Sequence, residues 1–181
     1  MSIIRSASAL LVAVTLTGAS AIAQDDPLLD KSRAVTAEFA SRMQAALQQG
    51  MASGGPVAAI GACKDIAPDI AARLSAESGA TVSRTSLKVR NRDNAAEAWQ
   101  EDVLHEFESG DSEEFFERDG ESGARYMKAI PTGGLCLNCH GTVLPPEVSA
   151  RLQEAYPDDQ AIGYYLGDIR GAFSVVWAAA D

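Results

Sequence analysis

The chain has 181 residues, with 25 acidic against 15 basic side chains and a formal net charge of −10. That balance argues against nucleic acid or an anionic membrane as partner and toward basic partner surfaces, although solubility alone explains it equally well. The three cysteines are an odd number, so at least one has no partner for an intramolecular disulfide.

Arg5, an apolar stretch from Ala7 to Gly18 and the segment Ala19-Ser20-Ala21-Ile22-Ala23 have the layout of a secretory signal peptide over residues 1–23, cleaved before Gln24. The apolar part is short and interrupted by serine, threonine and glycine, so a retained membrane anchor is the weaker reading. The residue directly after the cleavage point is Gln24, not a cysteine, which argues against a lipid anchor. Removing residues 1–23 takes away Arg5 and no acid, so the net charge becomes −11 over the remaining 158 residues. Without repeats or a low-complexity linker, residues 24–181 are expected to form one domain, located in the periplasm.

Asp26-Pro27 is a helix start, and Val35, Phe39, Met43 and Leu47 recur every four residues as an amphipathic stripe that runs up to Gly50. Met51 to Gly55 breaks the pattern, and Pro56 opens a second helical segment, Val57 to Lys64, that contains Cys63. Pro68 starts a short helix ending near Gly79. Thr81 to Val89 is rich in β-branched residues and is expected to be a strand. It brings Arg84, Lys88 and the following Arg90 together as cations in an acidic protein. A solvated strand face is the plain reading of these three.

Asn91 to Asn94 is turn chemistry, and Asn94 with Glu97 predicts a capping box for a helix that buries Trp99, Val103, Leu104 and Phe107. His105 falls among Glu101, Asp102 and Glu108, on the face expected to be wet. Glu113–Arg118 and Ala124–Ile130 around Asp119-Gly120 predict an antiparallel hairpin. A helix over Glu147–Ala155 and an apolar, buried strand over Gly171–Ala178 close the chain. Helices and strands mix without a βαβ rhythm, so the fold class is α+β.

The hairpin leads to Cys136-Leu137-Asn138-Cys139-His140, a C-x-x-C-H run. This spacing is that of c-type haem attachment: two thiols three positions apart add to the haem vinyl groups, and the histidine becomes an axial ligand of the iron. A thioredoxin-like dithiol competes, but it should follow a strand and open a helix, whereas Pro131-Thr132-Gly133-Gly134 precedes this motif. A structural zinc held by Cys63, Cys136, Cys139 and His140 or His105 competes too. With a haem attached, Cys63 is the leftover thiol and Arg84, Lys88 and Arg90 are candidates to meet the two propionates. The sixth position on the iron is then open to Cys63, His105, Met43, Met51, Met127, water or nothing. Cys63 is favoured among them because an unpaired thiol in an oxidising compartment otherwise has no role.

Ala62-Cys63-Lys64 with Ile66-Ala67-Pro68, Arg84 to Asn91, Cys136 to Gly141, Tyr156-Pro157-Asp158, Ala161 to Tyr164, and Gly167 to Ala172 together resemble a family of exported c-type haem proteins with a PAS-like fold. The family is known from a cyanobacterial haem protein and from bacterial sensor kinases. The resemblance implies a PAS-like antiparallel sheet with flanking helices and one haem pocket. It also implies one covalent haem c on Cys136 and Cys139, with His140 and Cys63 as axial ligands. Where the family usually has prolines after Arg-Asn, this chain has Arg92 and Ala95-Ala96, which bears on that loop.

Such ligands predict a redox or diatomic-gas sensor, with a single-electron carrier cytochrome c as the alternative. A sensor without an output domain of its own needs a separate partner, such as a membrane-bound signalling protein; a carrier needs a redox partner. A peroxidase-like enzyme would need an open iron beneath a polar acid–base group, for which His105 is the candidate histidine.

Overall fold

Proline at the first position and an apolar stripe at helical spacing start helix α1, Pro27–Gly61, in the computed structural model, which describes residues 26–179. The expected signal peptide lies outside the described residues. α1 is helical across Met51 but has non-helical backbone at Gly54 and Gly55, the latter at φ 68° and ψ −158°, where side chains other than hydrogen are strained. Pro56 restarts the helix. The two arms fold onto each other closely enough that a Cβ at Gly50 would lie 2.7 Å from Ala59 Cα.

The second arm does not end at Lys64 as expected. It passes into a π-helical turn, Ala62–Ile66, and then directly into α2, Ala67–Ser78, which stops at Gly79 with φ 79°. π-turns are rare, carry one extra residue per turn and concentrate at functional sites. Cys63 sits in this one.

Four strands form an antiparallel sheet in the order β1-β4-β3-β2: β1 is Thr81–Thr85, β2 Glu114–Asp119, β3 Gly123–Pro131 and β4 Ile169–Trp177. β1 ends four residues before the expected Val89. The Ser86 hydroxyl donates to Arg170 O at 2.9 Å and accepts from Lys88 N at 3.2 Å, turning the chain out of the ladder. Arg84 therefore stands on a strand, while Lys88 and Arg90 stand on a loop. The capping box is displaced as well. Asn91 caps a 3₁₀ turn, Arg92–Asn94, and the box on α3, Ala98–Ser109, is made by Glu97 and Gln100. Trp99 is half-buried, its indole N–H tied to Glu97 at 2.9 Å.

Alternation along the strands splits the core between the two sheet faces. Val82, Tyr126, Phe173 and Val175 face Phe39, Ile70 and Leu74 of α1 and α2. Met127, Ala129 and Ala172 face Val103, Leu104 and Phe107 of α3, where buried Gln100 donates to Ser174 Oγ at 3.0 Å. The result is the expected α+β class, an antiparallel sheet with flanking helices. A smaller cluster joins Ile60 to Val148 and Leu152 of α4, Pro146–Ala155, with Cys139 packed against it.

Candidate functional site

A cavity of about 810 Å³ lies between α1, the α1 side of the sheet and the loop that leads from β3 to Cys136. Its size falls within the ordinary range of small-molecule and cofactor sites. Cys63, Cys136, Cys139 and His140 all line it, and so do Met43 and Met51.

The C-x-x-C-H run forms a single helical turn. Its amides close on themselves, with Cys139 N and His140 N donating to Cys136 O at 3.2 and 2.9 Å. Gly141 follows in extended backbone, and a Cβ there would stand 2.7 Å from Leu137 O, so glycine lets the chain leave the turn this tightly. One turn of helix puts residues three apart on the same side, which is how both thiols come to line one cavity.

His140 is oriented by the chain that follows it. Its Nδ1 lies 2.7 Å from Ala161 O, and because a carbonyl only accepts, Nδ1 carries the proton and Nε2 keeps its lone pair. Burial first, then the positive charges of Arg170, Arg90 and Arg84, push the imidazole pKa down to about 2. The ring is therefore neutral at ordinary pH and ready to ligate a metal without losing a proton.

Arg90 holds this arrangement from the other side. Its guanidinium pairs with Asp159 at 2.9 Å and donates to Cys139 O at 2.6 Å and Ala161 O at 3.1 Å. Asp159 in turn accepts from Ala161 N at 2.9 Å, and Tyr164 N donates to His140 O at 3.0 Å. A loop that spells Asp-Asp-Gln-Ala-Ile-Gly-Tyr is thereby clasped against the motif.

The three candidate cations separate. Arg84 lines the cavity and has the Phe39 ring 5.9 Å away. Lys88 is exposed, stands 4.9 Å over the Tyr164 ring and does not line the cavity. Arg90 lines it but is bound to Asp159. Arg170, which the sequence reading did not single out, lines it beside Arg84. The signal for it was Gly171 inside an apolar strand, which marks a bulge. Ala129 pairs with Ala172 and Pro131 with Ile169, so β4 spends one residue more than β3 there. Gly171, at φ 149°, is pressed against the Thr85 carbonyl, and the extra residue turns Arg170 toward the cavity face.

The other candidate ligands also sort themselves. Met127 is fully buried on the α3 side of the sheet, away from the cavity. His105 is 66% exposed and stands 3.5 Å from Glu108 on the wet face of α3. Among the described residues, no three His, Cys, Asp or Glu side chains are grouped to hold a metal ion, which speaks against a zinc on Cys63, Cys136, Cys139 and His140 or His105.

A family model described as Tll0287-like matches residues 17–177. The chain belongs to the Tll0287-like family. The match spans every site residue from Cys63 to Arg170. The crystal structure of the cyanobacterial heme-protein Tll0287 is similar, with a TM-score of 0.69 and 25% sequence identity, covering 87% of this chain and 99% of that one. Comparison with curated proteins returns no match. For a Tll0287-like chain, the residues present suit a planar cofactor with a metal centre: two thiols on one turn, a neutral histidine whose Nε2 lone pair accepts from Arg90 Nη1 at 3.4 Å, and a third thiol on the π-turn that lines the same cavity.

Proposed function

We propose that this chain is an exported, periplasmic haem c protein, with one haem attached through thioethers to Cys136 and Cys139 and ligated by His140 and Cys63. Haem binding is supported by membership of the Tll0287-like family and by the likeness to a cyanobacterial heme-protein. The covalent link and export are supported by the C-x-x-C-H spacing and by the signal-like residues 1–23. The observation that carries the ligand pair is that His140, oriented by Ala161 O, and Cys63, on its π-turn, line the same cavity.

Bound there, a haem supplies a one-electron couple, of low potential under a thiolate ligand, and a site for a diatomic gas when an axial ligand leaves. The role of this chain is to hold His140 still and to let Cys63 move. Cys63 sits where the second arm of α1 becomes α2, so release of its sulfur is passed to two helices at once. That favours a redox or gas sensor read by a separate membrane-bound signalling partner.

A single-electron carrier is the second reading, and one observation favours it. Leu135, Val143, Ile162, Tyr165 and Leu166 are exposed; the first two flank the C-x-x-C-H turn and the other three belong to the loop clasped against it. Gly163 N and Tyr164 N tie those loops together through Gly141 O and His140 O. An apolar rim beside a redox group is a surface on which a redox partner docks.

Absorption spectra of the periplasmically expressed protein, taken oxidised, reduced and reduced under carbon monoxide, test both the haem and its ligands. A red wild-type protein and an altered ferric spectrum for Cys63→Ser are expected. A colourless wild type removes the haem reading, and an unchanged variant spectrum removes Cys63. Ready carbon monoxide binding selects the sensor; refusal selects the carrier.

A further inference from the structure

Two guanidinium groups, Arg84 and Arg170, face the cavity together. Arg84 points from β1 to the same face as its ladder partner Phe173, and the β4 bulge turns Arg170 to that face. Among the described residues neither has a carboxylate in ion-pair range, and Arg170 Nε is buried with no hydrogen-bond partner. Burial and the neighbouring Arg170 make Arg84 bind its proton less tightly than an exposed arginine. Two half-buried like charges that line one cavity repel each other unless anionic groups satisfy them. Arg90, in the same cavity, shows the satisfied case: Asp159 and two carbonyls take up its donors.

We infer that Arg84 and Arg170 form a carboxylate clamp, so that the cofactor of this cavity is bound as a dicarboxylate with its acid groups received at the β1–β4 end, without Lys88 or Arg90. The planar fork of arginine matches a carboxylate with two parallel hydrogen bonds, which lysine cannot do. The clamp depends on the β4 bulge, because without the extra residue at Gly171 the side chain of residue 170 would face α3. The inference rests on the haem reading, in which the two propionates are the carboxylates.

The test uses residues 24–181 carrying Cys136→Ser and Cys139→Ser, which makes binding reversible. Ferric protoporphyrin IX and its dimethyl ester are titrated separately and followed in the Soret band. The parent is expected to prefer the diacid by about tenfold or more, the worth of charge-assisted hydrogen bonds. Arg170→Gln should bring the two probes within about twofold by weakening the diacid alone, and Arg170→Lys should fall between. Equal affinity of the parent for diacid and ester overturns the clamp whether or not the variants fold. A preference unchanged in folded Arg170→Gln also overturns it. Failure of a folded parent to bind either probe also overturns the clamp, whereas a colourless wild type overturns the haem reading beneath it.

Discussion

His140 and Cys63 reach the cavity on two parts of the molecule that are built in opposite ways. The His140 side is hydrogen-bonded throughout: Arg90, Asp159 and Ala161 close around the imidazole, and backbone amides of Gly163 and Tyr164 lock the loop to the motif. The Cys63 side is held by packing. Its π-turn has no side-chain cap, a glycine pair interrupts the helix before it, and Ile60 packs in an apolar cluster with Val148, Leu152 and Ala155. Directional bonds define one geometry, whereas apolar contacts tolerate sliding. Under the proposed ligation, His140 is thereby placed to be the permanent ligand and Cys63 the exchangeable one, which is the division of labour a ligand-switch sensor requires.

The largest way to break this contrast is to cut the clasp. Asp159→Ala strands the Arg90 guanidinium, in a pair whose side chains are each 11% exposed. Removing one partner of such a pair costs about 3 kcal/mol. Chemical denaturation of the apo chain measures the loss, and the haem content of periplasmic protein should fall with it. Wild-type stability would mean that the backbone contacts alone hold the loop.

On the opposite side, Gly50→Leu attacks the hinge instead. The new Cβ would meet Ala59 Cα at 2.7 Å, a backbone atom that cannot step aside, so the two arms of α1 must separate. Overpacking of this kind costs about 1–3 kcal/mol. In a Cys136→Ser, Cys139→Ser background, the reaction of Cys63 with a thiol reagent should accelerate. An unchanged rate would mean that Cys63 is not governed by the angle between the arms.

Much of the clasped side was legible in the sequence, and little of the packed side was. Cys136, Cys139 and His140 are carried by local spacing, and one helical turn is all that their geometry needs. The hairpin follows from its two strand-like runs around Asp119-Gly120, and the last strand from its apolar run. Arg90 was visible only as a cation, because its partner Asp159 lies 69 positions away and pairs through a loop. Arg170 was hidden because a bulge changes the face on which a residue falls, and strict alternation assigns that face wrongly. Cys63 was conspicuous as an unpaired thiol, but the π-turn that carries it depends on the way two helices meet, which no local pattern records. The overlong strand at Val89 has the same origin: Ser86 bonds to Arg170 O, across 84 positions, and ends the ladder early.

The smallest effect concerns what holds the first arm of α1, and it asks whether the glycine break is a joint at all. Glu114 of β2 accepts from Arg33 Nε and Nη2 at 2.9 and 2.6 Å and from the Tyr126 hydroxyl at 2.8 Å, anchoring that arm to the β2–β3 hairpin. The Arg33 guanidinium beside it, aided by Tyr126, holds the Glu114 carboxyl below the usual value of 4.5. A carboxyl depressed in the folded state contributes stability that is full above its unfolded value and lost as pH falls through the folded one. Glu114→Gln should therefore melt below wild type at pH 7, and the gap should narrow progressively as pH falls below 4.5. With Arg33 46% and Glu114 29% exposed, the pair contributes about 0.5–1 kcal/mol, a shift of roughly 2–4 °C at most for a domain of this size. The thiol-reagent rate of Cys63 should not follow. If it does, strain passes through Gly54 and Gly55, α1 moves as one body, and the Cys63 side is as firmly tied to the sheet as the His140 side is to its loop.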